Sequence, residues 1–232
     1  MKIKVIYTFL LVLFISTVVC SKIGKSGSKA DLSSDKGKYS YAIGYNVGSG
    51  MKRDNVELDM DSFMAAIEDA FNDIDSRLSP EDSQTAMQNL MTSLQKKRKD
   101  LAVENKKKGE EFLSKNKTKE GVLTTSSGLQ YKVVSKGDSV VKPKSNDTVK
   151  VHYIGRFIDG KEFDSSYKRK EPTMFKVDEV IKGWTEGLQL MTVGSKYEFF
   201  IPSDLAYGPN GNQAIPGNSV LIFEVELLEI VK

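Results

Sequence analysis

The chain has 232 residues, and 34 Lys and Arg against 31 Asp and Glu leave a formal charge of +3 with the single His neutral. Hydrophobic residues make up 39% and charged residues 28%; this is a globular composition, and near-neutrality leaves no electrostatic footprint for a dedicated nucleic-acid binder. One Cys excludes an internal disulfide and multi-Cys zinc or iron–sulfur centres, and one His, His152, excludes a two-His metal site, so neither metal nor cofactor is expected.

Residues 1–20 read as an export signal. Lys2 and Lys4 form a basic start, Val5 to Ile15 is almost wholly apolar, and Ser16 to Cys20 makes a processing zone. The apolar run falls short of the roughly 20 residues that a bilayer span needs. Cys20 stands where a bacterial lipoprotein carries its lipidated Cys, although Val19 is larger than the small residue usual before it; plain cleavage after Cys20 is the alternative. Residues 21–35 read as a flexible polar tether. The expectation is an exported protein of the periplasm, outer membrane or cell surface, touching a membrane only through a lipid anchor. Losing Lys2 and Lys4 lowers the charge to +1.

Residues 36–118 are patterned as helices, with Pro80 the one proline between Lys36 and Lys119. Asp31, Ser33 or Ser34 caps the first helix, which carries Tyr41, Tyr45 and Gly48 on one face with Gly44 alongside. Gly44 and Gly48, four apart, let a second helix approach closely. Asp59 or Asp61 opens a second helix with Phe63, Met64, Ile67, Ala70 and Phe71 as its apolar positions. Ser79-Pro80-Glu81-Asp82 starts a long third helix: an N-cap Ser, Pro in the first turn and acids near the positive end of the dipole. Its stripe of Met87, Leu90, Met91 and Leu94 continues at Leu101 and closes at Phe112-Leu113, with mixed Lys/Glu sequence between them, the pattern of a solvated strut between two bodies.

From Gly121 the period changes to two, and residues 119–232 read as a small antiparallel sheet wrapped around one short helix. Leu129, Tyr131 and Val133 alternate with Gln130 and Lys132; Thr148 to Phe157, Tyr197 to Ile201 and Ser219 to Ile230 are further strands, and Asp159-Gly160 is a hairpin signal. The helix is marked by Ile181, Trp184, Leu188 and Met191. The fold class is therefore α+β.

Standard catalytic motifs are missing. There is no phosphate-cradling glycine loop and no G-x-S-x-G elbow, and His152 reads as a partly exposed strand residue. What remains is an aromatic and aliphatic set: Tyr153, Phe157, Phe163, Val180, Ile181, Trp184, Ile215 and Phe223. With the Asp164 carboxylate, the Tyr207 hydroxyl and backbone donors near Ile181, it points to an apolar cavity with a few polar handles.

The runs VHYIGRFIDGKEFDSS (151–166), VIKGWTEGLQLMTVGSKYEFFIPSDLAYG (180–208) and IPGNSVLIFEVELLEI (215–230) resemble the FKBP family of peptidyl-prolyl cis-trans isomerases. The helical half, from YSYAIGYNVGSGMK (39–52), is similar to the dimerisation domain of bacterial Mip-type and FkpA-type members. The resemblance implies an enzyme that rotates X–Pro bonds in unfolded or partly folded polypeptides, works as a homodimer and binds macrolide inhibitors. It implies Trp184 as pocket floor and Tyr153, Phe163, Val180, Ile181 and Phe223 as walls, with Ile215 at the border. Tyr207 and the Ile181 N–H would donate to substrate carbonyls, and Asp164 would lie beside the rotating amide in a network with Tyr153 and Arg169. Two departures from the family pattern stand out. Thr173 follows Pro172 where many relatives have an aromatic residue, and the loop after Tyr207 (GPNGNQAIPGN) is a residue shorter than the eukaryotic pattern. A chaperone or binding protein with secondary catalysis is the main alternative, and a surface interaction protein a further one.

Such a reaction needs no acid, metal or nucleophile. The barrier to amide rotation, about 18–20 kcal/mol, is lost resonance, and no bond breaks. The twisted amide is less charge-separated than the planar one, so a dry apolar pocket favours it. Each tenfold acceleration takes only about 1.4 kcal/mol of differential stabilisation.

Overall fold

The computed structural model describes residues 30–231. The export signal, Cys20 and the tether as far as Lys29 lie outside the described residues. Among the described residues, no helix is long and apolar enough to cross a membrane.

The chain divides into two compact units, ending and beginning at Arg53 and Asp54. The first holds α1 (Asp35–Arg53), whose N-terminus is capped by the Ser34 hydroxyl, which accepts from the Gly37 N–H at 3.0 Å. Among the described residues, nothing buries α1: Tyr41 and Tyr45 stack with centroids 6.2 Å apart, and no atom of these residues lies within 4 Å of where a Cβ on Gly44 or Gly48 would stand.

The second unit opens with α2 (Met60–Phe71), capped by Asp59, which accepts from the Ser62 N–H at 2.8 Å. Arg77 then grips Asp69 with two hydrogen bonds, at 2.6 and 2.9 Å. Helix α3 (Pro80–Asn116) follows the Ser79 cap, whose Oγ accepts from the Asp82 N–H at 3.0 Å. Its 37 residues make a rod about 55 Å long. The apolar stripe of its first half stays in the open, with Met87 at 56% and Met91 at 62% exposure. Its second half differs from a solvated strut. Gly109 and Asn116 are buried, and Phe112 packs on Phe200 with centroids 6.0 Å apart. The Lys/Glu content hid a narrow face of small and amide side chains at helical spacing.

Seven strands follow: β1 (Val122–Thr124), β2 (Gln130–Ser135), β3 (Thr148–Phe157), β4 (Glu162–Ser165), β5 (Thr173–Lys176), β6 (Lys196–Ile201) and β7 (Leu221–Val231). They form one antiparallel sheet in the order β1-β2-β6-β7-β3-β4, with β5 also pairing with β3. The β3–β4 hairpin turns at Gly160, which has the positive φ of +85° that glycine adopts without penalty. On β7 the alternation is strict: Leu221, Phe223, Val225 and Leu227 are buried, while Glu224 and Glu226 face partly outward. A single turn, α4 (Ser166–Arg169), follows β4, and α5 (Lys182–Leu188) packs on the buried face of the sheet.

Helix α5 lies close to the sheet because it turns glycine toward it: a Cβ on Gly187 would stand 2.7 Å from the fully buried ring of Phe199. Gly187→Ala should therefore destabilise the second unit by about 1–3 kcal/mol through overpacking. A lowered denaturant midpoint at unchanged slope would register this; an unchanged midpoint would contradict the packing.

Candidate active site

The sheet's buried face gathers its aromatic residues around Trp184, the third residue of α5. The indole is 4% exposed and meets three rings edge-on: Phe223 at 5.2 Å, Tyr153 at 5.3 Å and Phe175 at 5.3 Å between centroids. Phe163 continues the cluster, 5.5 Å from Phe223 and 4.9 Å from Phe157. Gly155 makes room for this, since a Cβ there would come within 2.7 Å of the Phe163 ring and 2.8 Å of Phe223. Perpendicular and tilted packing of this kind sets positive ring edges against negative faces. Ile215 is buried in the same cluster, Val180 and Ile181 pack against it half-buried, and Tyr207 remains 40% exposed.

A polar network lies against this apolar group. The Tyr153 hydroxyl donates to Asp164 Oδ2 at 2.5 Å, and Arg169 Nη1 donates to Asp164 Oδ1 at 2.5 Å. Arg169 Nη2 also donates to the Tyr153 hydroxyl at 2.8 Å and to Thr173 Oγ1 at 3.2 Å, with its guanidinium 5.5 Å from the centre of the Tyr153 ring. The Ser165 N–H donates to Asp164 Oδ1 at 2.8 Å. The β4–α4 junction makes this geometry: Asp164 is the penultimate residue of the strand, and Arg169, at the end of the single turn that follows, reaches back to it.

These contacts set the charges. Burial pushes the Asp164 carboxyl up, but the Tyr153 and Arg169 hydrogen bonds outweigh it and hold the group below its usual range, ionised at neutral pH. Burial, reinforced by the hydrogen bond to Asp164, raises the Tyr153 phenol to about 12, so it stays a donor. Burial also raises Tyr207, with the Asp164 charge acting in the same direction. Ile181 caps α5, its carbonyl accepting from the Trp184 N–H at 2.8 Å, while its own N–H meets no acceptor among the described residues. The Trp184 Nε1–H is likewise buried without a protein partner.

The structure thus brings Tyr153, Phe163, Asp164, Trp184, Ile215 and Phe223 into one contiguous group, with Val180, Ile181 and Tyr207 at its margins. His152 stands apart on the opposite face of β3, stacked on Tyr167 at 4.5 Å and 2.9 Å from Ser166 Oγ. Sequence reasoning missed Phe175. Its signal was the alternation Thr173, Met174, Phe175, Lys176 on a strand of only four residues. Thr173, which stands where many relatives have an aromatic residue, is half-buried and engaged with Arg169. Among the described residues, no group of three His, Cys, Asp or Glu is placed to hold a metal ion.

Comparison with known proteins identifies the family. Residues 139–228 match the FKBP-type peptidyl-prolyl cis-trans isomerase family, and residues 36–133 match the domain amino-terminal to FKBP-type peptidyl-prolyl isomerase. The chain is 45% identical over 215 residues to the FKBP-type peptidyl-prolyl cis-trans isomerase FkpA of Aeromonas hydrophila, covering 88% of this chain and 80% of that one. It is 38% identical to the outer membrane protein MIP of Legionella longbeachae, covering 100% of this chain and 99% of that one. The crystal structure of FkpA from Escherichia coli superposes with a TM-score of 0.62 at 41% identity, over 86% of this chain and 98% of that one. With an antiparallel sheet closed over a short helix, an aromatic cluster centred on one Trp and relatives matched along 80% to 99% of their length, the chain belongs to the FKBP-type peptidyl-prolyl cis-trans isomerases.

Proposed function

We propose that the isomerase turns X–Pro bonds over Trp184, with the proline ring on the indole and Tyr153, Phe163, Val180, Ile181 and Phe223 around it. The observation that carries this reading is the Tyr153–Asp164–Arg169 network lying directly against the Trp184 cluster. A planar amide places negative charge on its oxygen. An ionised, half-buried carboxylate beside it raises that form relative to the twisted one, and a dry aromatic floor acts in the same direction. Tyr207 and the Ile181 N–H hold the flanking carbonyls, and Ile215 closes the border. Tyr153 and Arg169 keep Asp164 charged and aimed, so the site works by fixed electrostatics and desolvation without moving a proton.

The helical part, residues 36–118, serves as the dimerisation region and connecting helix in this reading, and residues 119–232 as the isomerase domain. The bare face of α1, with Tyr41 at 52% and Tyr45 at 64% exposure beside Gly44 and Gly48, supports pairing with a second copy. In α2, α3 and the segment joining them, Met60, Met64, Phe71, Ile74, Met87 and Met91 are also exposed. The flexible thioethers of the four methionines support a second activity, holding unfolded clients by adaptable apolar contact. The chain is exported, and its likeness to an outer membrane protein supports a surface or periplasmic site with Cys20 as lipid anchor.

Trp184→Leu and Asp164→Ala should each lower kcat/KM at least tenfold in a protease-coupled prolyl assay while the circular dichroism spectrum is kept; full activity in both sinks the pocket assignment. Trp184→Leu should still suppress client aggregation if the helical part does the holding. The pH profile follows from the lowered Asp164 carboxyl. Activity should stay level as pH falls through the ordinary carboxylate range and drop only below it. Arg169→Gln should move that drop to higher pH, and an unmoved profile would refute the electrostatic role of Asp164. Sedimentation and intact mass of the mature protein should give a dimer with a lipidated Cys20; a clean monomer or an unmodified N-terminus rejects the respective assignment.

A further inference from the structure

The second half of α3 grips the loop that leads away from Tyr207. The Asn105 side-chain amide donates to the Gly217 carbonyl at 3.1 Å and lies 3.4 Å from Ser219 Oγ. In the opposite direction, the Asn218 side-chain amide donates to the Ala102 carbonyl at 3.0 Å. The backbones come close as well: a Cβ on Gly109 would stand 2.7 Å from Val220 Cγ2, and one on Gly217 would stand 3.1 Å from the Ala102 Cβ. Ala102, Asn105 and Gly109 follow the three-and-four spacing of one helical face.

The loop passes this grip on to the pocket. The Asn218 N–H donates to the Gly208 carbonyl at 2.9 Å, next to Tyr207. Asn212 Oδ1 accepts from the N–H groups of Ala214 and Ile215, both at 2.8 Å, and Ser219 Oγ donates to the Pro216 carbonyl at 2.7 Å. Asn218 itself sits in the left-handed region, with φ of +57°, which an Asn tolerates better than most residues and which needs support to persist. The loop therefore has its own internal turns, and α3 anchors its far end.

We infer that α3 belongs to the substrate site: Asn105 is a positioning residue that holds the loop of Tyr207 and Ile215 in its binding-competent shape and so sets substrate affinity. This rests on the pocket reading given above. A loop that is competent only part of the time weakens apparent affinity by that fraction, whereas an amide already seated on Trp184 turns at its usual rate. Loss of the Asn105 anchor is thus expressed in KM.

The test uses the full chain in a protease-free isomerisation assay that resolves kcat from KM. Asn105→Leu keeps the size of the side chain without the donor. Asn218→Gly removes the other amide and keeps the left-handed backbone accessible. Each should raise KM about fivefold, the scale of one hydrogen bond, with kcat within about twofold. Amide exchange at Ile215 and Asn218 should accelerate while the sheet stays protected. If both folded variants keep the parental KM while Trp184→Leu is impaired, the anchoring role is wrong and the pocket stands. If Trp184→Leu is also unimpaired, the pocket reading fails and this inference fails with it. Equal losses in kcat and affinity with faster exchange across the sheet mean general destabilisation, and they too overturn it.

Discussion

Everything at the site depends on how near α5 can come to the sheet. A helix packed at ordinary distance would leave Trp184 short of Tyr153 and Phe223, and no single ring could touch three others edge-on. Gly183 and Gly187 remove that distance, for a Cβ on either would fall within 2.4 to 2.7 Å of Ile201 or Phe199. Gly155 removes it from the other side, by letting Phe163 and Phe223 settle over β3. The aromatic floor is consequently a product of missing side chains as much as of those present.

The charged part of the site is subordinate to that packing. Burial keeps Tyr153 neutral, while the hydrogen bonds from Tyr153 and Arg169 keep Asp164 ionised against the same burial. In the mechanism proposed above, none of the three groups changes its protonation during amide rotation. That accounts for a chain whose one His sits on the far face of β3, stacked on Tyr167 and engaged with a serine whose hydroxyl accepts the Tyr153 N–H at 2.8 Å.

Much of this was legible in the sequence, and the reason differs by element. The caps at Asp59 and Ser79 and the hairpin at Gly160 were readable because each is a local bargain between one side chain and the next few backbone groups. Strands β3 and β7 were readable because one face is buried and the other is not, which imposes a strict period of two. Phe175 escaped because four residues are too few for a period to show. The docking face of α3 escaped for another reason: Ala102, Asn105, Gly109 and Asn116 are small or amide residues, and their contacts are made by amide hydrogen bonds and close backbone approach. Hydrophobic periodicity carries no trace of such a surface. The site residues were assembled by family resemblance, since their partnerships, Tyr153 with Trp184 or Asp164 with Arg169, span sequence gaps that no local rule crosses.

The strand order has a consequence for how the protein is made. The last strand in sequence, β7, lies inside the sheet, paired with β3 along one edge and β6 along the other. Until that final segment emerges from the ribosome or the export channel, β3 and β6 have no common neighbour and Phe223 is absent from beside Trp184. The nascent chain therefore waits with two open strand edges, the situation that slows folding and invites mispairing. The isomerase sheet is thus closed by a late topological step, the insertion of β7 between two strands made before it.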